Sequence, residues 1–120
     1  MLLLGYDVGT SSIKACLMES GTGKVLASET SPKVEMEIIA RQSGWAEQRP
    51  EVWWEHVKAA TAGLGAKSPV PLHEVGAIGL SYQMHGLVCV NKDRKVLRPA
   101  IIWCDSRAVE IGRHAAEEIG

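Results

Sequence analysis

Phenylalanine is absent from this 120-residue sequence, although tryptophan occurs four times, and that imbalance by itself assigns nothing. Cysteine is scarce. Cys16, Cys89 and Cys104 are odd in number, widely spaced and without a Cys-x-x-Cys pair, which argues against a disulfide scaffold or a structural zinc site and predicts buried, reduced thiols. Charge of either sign is not in excess: 13 Lys plus Arg against 14 Asp plus Glu leave a net charge of −1. No global field gathers nucleic acid or an anionic membrane, so neither partner is expected, and any phosphate must be held locally. Long apolar runs are missing too. Met1 to Leu4 breaks at Gly5-Tyr6-Asp7, too short for a signal peptide or a membrane span, so the expected location is the cytoplasm. What is present, 46% hydrophobic and 22% charged residues, suits a soluble globular chain that is one domain or part of a larger one.

Leu2 to Tyr6 reads as a buried strand ending at Asp7, because a short apolar run between turn formers has no room for a helix. Ile13, Ala15 and Leu17 alternate with Ser12, Lys14, Cys16 and Met18, the period of a strand with one buried face. A turn over Glu19 to Gly23 and a strand over Lys24 to Thr30 complete a three-stranded meander. Ser31-Pro32 ends it, and residues 33–49 read mostly as loop with a short strand near Val34 to Ile39, pinned to the body by Trp45. Pro50 opens a helix whose Trp53, Val57, Ala60 and Leu64 share a face, with Gly63 and Gly65 expected to stop it. Trp53 and Trp54 are both read as packing residues. Val75 to Leu80 and Leu87 to Val90 read as strands, Asn91 to Lys95 as a turn, and Val96 to Trp103 as extended around Pro99. A second helix starts after Ser106, with Ala108, Ile111, Ala115 and Ile119 on one face. Strands alternating with helices indicate an α/β domain, and exposed sheet edges or apolar helix faces are expected.

Three clusters could carry chemistry. Asp7-Val8-Gly9-Thr10-Ser11-Ser12 puts an acid at a strand end before a glycine and three hydroxyls. Such a turn can aim N–H groups and hydroxyls at phosphate oxygens, with Asp7 toward Mg²⁺ or its waters. A polar hairpin that only reverses the chain looks the same, and neither the Walker P-loop nor the GxGxxG pattern is present. Lys14 could reach the phosphate or stand as an exposed strand lysine. Gln83-Met84-His85-Gly86 follows a strand, where ligands bind in open α/β sheets. There Gln83 and His85 could hydrogen-bond hydroxyls and Met84 could pack on a carbon skeleton, or His85 could simply be solvated. His56, His73 and His114 have no metal-ligand spacing. In Trp103-Cys104-Asp105-Ser106-Arg107, Trp103 could form a wall against a sugar face with Asp105 and Arg107 as polar contacts. Equally, Trp103 could sit in the core, Asp105 or Ser106 could cap the helix, and Arg107 could be free or paired.

Together with Gly44-Trp45-Ala46-Glu47-Gln48-Arg49-Pro50-Glu51-Val52-Trp53-Trp54, these clusters resemble in order and spacing the opening of the FGGY-family carbohydrate kinases. Met84-His85-Gly86 resembles the xylulokinase branch, whereas glycerol kinases carry Arg-Glu there. Tyr82 stands where the family usually has Gly, and its ring is expected to narrow or reshape the loop. The resemblance implies a ribonuclease-H-like, actin/hexokinase-type α/β fold, with residues 1–120 as the first part of the N-terminal domain. It implies ATP and Mg²⁺ as cofactors and D-xylulose or a related ketose or polyol as substrate. Asp7 would be the catalytic and metal-side acid, Gly9, Thr10, Ser11 and Ser12 the phosphate loop, and Gln83, Met84, His85, Trp103, Asp105 and Arg107 the sugar side. The family's general base and adenosine-binding portion have no match here, so the 120-residue chain alone is expected to be inactive. A homodimer is left open. Two readings of other classes compete: a ribonuclease-H-like nuclease using Asp7 as a metal ligand, and a non-catalytic sugar-binding module.

Overall fold

The alternation near the start of the chain becomes three antiparallel strands, β1 (Leu2–Val8), β2 (Ile13–Glu19) and β3 (Val25–Ser31), as the meander reading expects. They are followed by β4 (Glu47–Gln48), α1 (Pro50–Lys67), β5 (Val75–Tyr82), β6 (Ala100–Ile101) and α2 (Val109–Ile119). The computed structural model describes residues 1–120 and divides into two compact units. The first comprises Met1–Glu37 with Glu51–Gln83, the second Ile38–Pro50 with Met84–Gly120.

In the first unit the sheet order is β3-β2-β1-β5, with β5 parallel to β1 and in register from Leu3↔Ala77 to Val8↔Tyr82. Side chains two apart share a face, so Leu4 and Tyr6 of β1 and Ile13, Ala15 and Leu17 of β2 bury on one side. Ala60 and Leu64 of α1 close over them, flanked by Val52, Trp53 and Val57. The Tyr6 hydroxyl reaches Thr61 Oγ1 at 2.6 Å, and Thr61 donates to the Val57 carbonyl at 2.7 Å, so Tyr6 is the donor and its one buried polar atom is satisfied.

Several expectations are corrected. Gly63 and Gly65 do not stop α1, which runs to Lys67. Burial of Leu64 outweighs the roughly 1 kcal/mol that each helical glycine costs. Gly63 is there for contact: a Cβ would lie 2.9 Å from Glu29 Cγ. Trp54 is 62% exposed rather than packed, because it sits beside the face that Trp53 buries. It stands at the rim of an open apolar groove of about 640 Å³ lined by Tyr6, Val57, Ile78 and Leu80. Ile78 and Leu80 share the core-facing side of the sheet with Leu4 and Tyr6 yet remain exposed, the uncovered apolar surface that the α/β pattern anticipates. In the second unit, Leu87 to Val90 is not a strand. It makes only isolated bridges, Leu87↔Ile101 and Val90↔Val96, while the Asn91 to Lys95 turn is closed by Asn91 N–H on the Lys95 carbonyl at 2.9 Å. The cysteines are free, but Cys16 and Cys89 are half-buried and Cys104 is exposed, against the buried expectation.

Glu29 of β3 links strand to helix end. Lys33, Lys67 and the Thr30 N–H hold its carboxyl down at about 2, against an ordinary 4.5. A depressed carboxyl contributes stability that is present above the unfolded-state value and is lost as pH falls toward the folded one. Urea midpoints should therefore fall between pH 4.5 and about 2. In Glu29→Gln that fall should be shallower, and the variant should start from a lower midpoint at neutral pH.

Candidate functional site

β1 ends at Val8, and the Gly9 N–H donates to the Ser12 carbonyl at 3.1 Å, closing the turn into β2. A Cβ on Gly9 would lie 3.1 Å from that same oxygen, so glycine keeps the turn tight. The Met36 N–H pins the turn from outside through the Ser11 carbonyl at 2.8 Å. Gln83, directly after β5, completes the group. Its N–H donates to the Val8 carbonyl at 3.0 Å and its Oε1 accepts from Thr10 Oγ1 at 3.0 Å. Asp7 pairs with Lys14 across the β1–β2 ladder at 3.3 Å, both side chains about half exposed or more. Such a surface pair is worth at most about 1 kcal/mol, so the Asp7 carboxylate stays exchangeable toward another cation. Asp7, Gly9, Thr10, Ser11, Ser12 and Gln83 thus come together at one end of the first unit's sheet.

Met84, His85, Trp103, Asp105 and Arg107 belong to the second unit. Its centre is a short ladder running Ile39, Glu47, Ile101, Leu87. His85 adopts φ 62°, a left-handed conformation that turns the chain so that Leu87 can bridge Ile101. Met84, His85 and Trp103 are exposed. Asp105 and Arg107 are not. Asp105 accepts the Ala46 N–H at 2.6 Å and the Arg107 N–H and Nε at 2.9 Å. It does not cap α2, because the helix begins only at Val109 with Ala108 as its N-cap and no side-chain bond there. Arg107 also donates to Glu47 at 2.9 Å and stacks 3.8 Å over Trp45.

Glu47 and Trp45 are the residues that site reasoning from sequence passed over. Glu47 is an acid at a two-residue interval from Trp45, with Arg98 and Arg107 far along the chain, and nothing in the local pattern pairs them. The Glu47 side chain is 3% exposed and is held by Arg98 and Arg107. Burial pushes its carboxyl up, but the two guanidiniums outweigh that and leave it below the ordinary range. Asp105 is held well below the usual carboxylate range, first by Arg107 and then by the Ala46 N–H against the opposing effect of burial.

Residues 2–120 match the FGGY family of carbohydrate kinases, N-terminal domain. The chain belongs to the FGGY family of carbohydrate kinases. It is 39% identical over 118 residues to the xylulose kinase of Bacillus subtilis strain 168, a match covering 98% of this chain and 23% of that protein. Among solved structures, a xyloylose kinase from Brucella ovis aligns with a TM-score of 0.85 and 32% identity over 97% of this chain and 24% of that one. A gluconate kinase from Lactobacillus acidophilus aligns with the same TM-score at 29% identity, covering 98% and 22%. The chain therefore spans about a quarter of the length of the proteins it matches. Its fold is the actin/hexokinase-type, ribonuclease-H-like α/β fold of these FGGY relatives. No helix is long and apolar enough to cross a membrane. No three His, Cys, Asp or Glu side chains gather as a metal cage. Asp7 fits Mg²⁺ in a different way, since that ion keeps several waters and takes one or two carboxylates plus substrate phosphates.

Replacing Glu47 by Gln removes a charged acceptor from two arginines in a buried place. The variant should lose about 1.5–3 kcal/mol of unfolding free energy, read from urea titration, with the near-ultraviolet circular dichroism of Trp45 diminished as Arg107 loosens above it.

Proposed function

We propose that residues 1–120 are the first part of the N-terminal domain of an ATP-dependent sugar kinase that converts D-xylulose to D-xylulose 5-phosphate. The observation that carries this reading is the Asp7–Ser12 turn: an exchangeable carboxylate at a strand end, beside hydroxyls and N–H groups held by the sheet. Phosphoryl transfer asks a protein mainly to align the nucleophile with phosphorus and to neutralise charge. Thr10, Ser11 and Ser12 are suited to cradling phosphate oxygens, while Gly9, whose N–H is spent on the Ser12 carbonyl, keeps the turn tight. Asp7 would hold Mg²⁺, which when bound neutralises charge on the transferring group. Exposed Met84 and Trp103 offer apolar surface to a carbon skeleton, and His85 offers a ring nitrogen to a hydroxyl. Asp105 and Arg107, saturated by neighbours, would shape this side instead of bonding sugar directly.

Family identity at 39% with a protein named xylulose kinase supports the ketose, and the gluconate kinase likeness names the competitor. In the reaction a sugar hydroxyl oxygen bonds to the γ-phosphorus, ADP leaves with the bridging oxygen, and the hydroxyl proton passes to a general base. The resemblance puts that base outside residues 1–120, so the isolated chain should form no ADP.

A coupled assay of ADP release tests both statements. The enzyme translated from the complete reading frame should turn over D-xylulose in preference to gluconate or glycerol, while the 120-residue chain does not. In that enzyme Asp7→Asn should lower kcat by about 10²–10³-fold, the range seen when one group stabilising transition-state charge is removed. Equal turnover of gluconate, or an undiminished Asp7→Asn variant, would count against this assignment.

A further inference from the structure

Gln83 Nε2 is the only buried side-chain nitrogen or oxygen in the chain without a hydrogen-bond partner. Folded proteins rarely leave a buried donor unused, so a group in this state calls for a ligand or a reason. Its surroundings say which ligand. The Gln83 N–H is tied to the Val8 carbonyl and its Oε1 to the Thr10 hydroxyl, each at 3.0 Å. Val8 and Thr10 are the residues on either side of Gly9. The amide is thus clamped from both ends onto the Asp7–Ser12 turn. Its acceptor is already used, and only the donor end, the NH₂, is left over. A fixed donor-only group on a turn of hydroxyls and backbone N–H groups complements an oxygen that only accepts and carries charge.

We infer that Gln83 serves the phosphate and not the sugar, with its NH₂ donating to a non-bridging oxygen of the nucleotide's terminal phosphates. This rests on the kinase reading, and it reassigns a residue that the sequence alone places on the sugar side. It also gives the Thr10–Gln83 bond a purpose. That bond sets the amide rotamer, so the donor stands ready before phosphate arrives and little ordering remains to be done on binding.

The test uses the 120-residue chain, ¹⁵N-labelled, with the side-chain NH₂ signals of Gln83 identified by their absence in Gln83→Met. Magnesium tripolyphosphate and D-xylulose are titrated separately. Tripolyphosphate should shift the Gln83 NH₂ pair together with the Gly9–Ser12 amides, and D-xylulose alone should leave that pair in place. Gln83→Glu, which replaces the donor by a negative charge, should weaken tripolyphosphate binding by about ten- to a hundredfold, the worth of one hydrogen bond to a charged acceptor. If the Gly9–Ser12 amides move while the Gln83 pair does not, or if the sugar moves the pair, the inference falls while the phosphate turn stands. If no amide of the turn responds to tripolyphosphate, the turn itself is not a phosphate site, and both the inference and the phosphate role proposed for Asp7–Ser12 fall. Should Gln83→Glu fail to fold, the wild-type titrations alone decide.

Discussion

The parallel registration of β5 on β1 is the constraint from which the candidate site follows. Antiparallel partners alone would put the ends of β1 and its neighbour at opposite edges of the sheet. Because β5 runs with β1 to the pair Val8↔Tyr82, both strands release their chains at the same edge. The residues that come next, Gly9 to Ser12 after β1 and Gln83 after β5, therefore meet without any contact designed for the purpose. A parallel pair needs a crossover long enough to return the chain, and α1 supplies it. Apolar burial under Ala60 and Leu64 fixes that helix to the sheet. The Asp7–Ser12 turn and Gln83 at the edge are thus held by packing some distance away, and the Gln83–Thr10 and Gln83–Val8 bonds only finish what the ladder begins.

How much of this was legible in the residues depended on the range of the interactions. Period-two burial in Ile13, Ala15 and Leu17 is a local signal, and the meander follows from it within a residue or so at each end. The start of α1 at Pro50 is equally local. Its end is not: Gly63 and Gly65 read as a stop because propensity is all a linear pattern offers, whereas Glu29, distant in sequence, packs against the bare Cα of Gly63. Trp54 was misplaced because its neighbour Trp53 takes the buried face. The candidate site divides in the same way. The Asp7–Ser12 turn is contiguous and could be recognised as a unit, while the joining of Thr10 to Gln83 spans 73 positions and could not. Glu47 went unnoticed as a centre because its partners, Arg98 and Arg107, lie 51 and 60 positions away.

The two units are held by different physics, and that difference bears on what each can do. In the first, a continuous apolar core carries the sheet, and burial of this kind is non-directional and tolerant of small side-chain changes. The Asp7–Ser12 turn it supports takes its shape from backbone hydrogen bonds and one glycine. The second unit buries few apolar side chains, chiefly Ala46, Ala100 and Ile102. Its ladder is two residues long in β4 and two in β6, which sets register only weakly on its own. Glu47 and Asp105 supply the missing specificity. Buried ion pairs add little net stability because desolvation offsets attraction, but Glu47 Oε1 and both oxygens of Asp105 accept from donors in fixed directions. Asp105 locks the Ala46 backbone to Arg107, and Arg107 in turn covers Trp45 and reaches Glu47. An apolar replacement of similar volume could match the stability and lose those directions. Asp105 and Arg107, which the family resemblance puts at the sugar, are thus engaged with Ala46, Glu47 and Trp45 in the scaffold of the second unit.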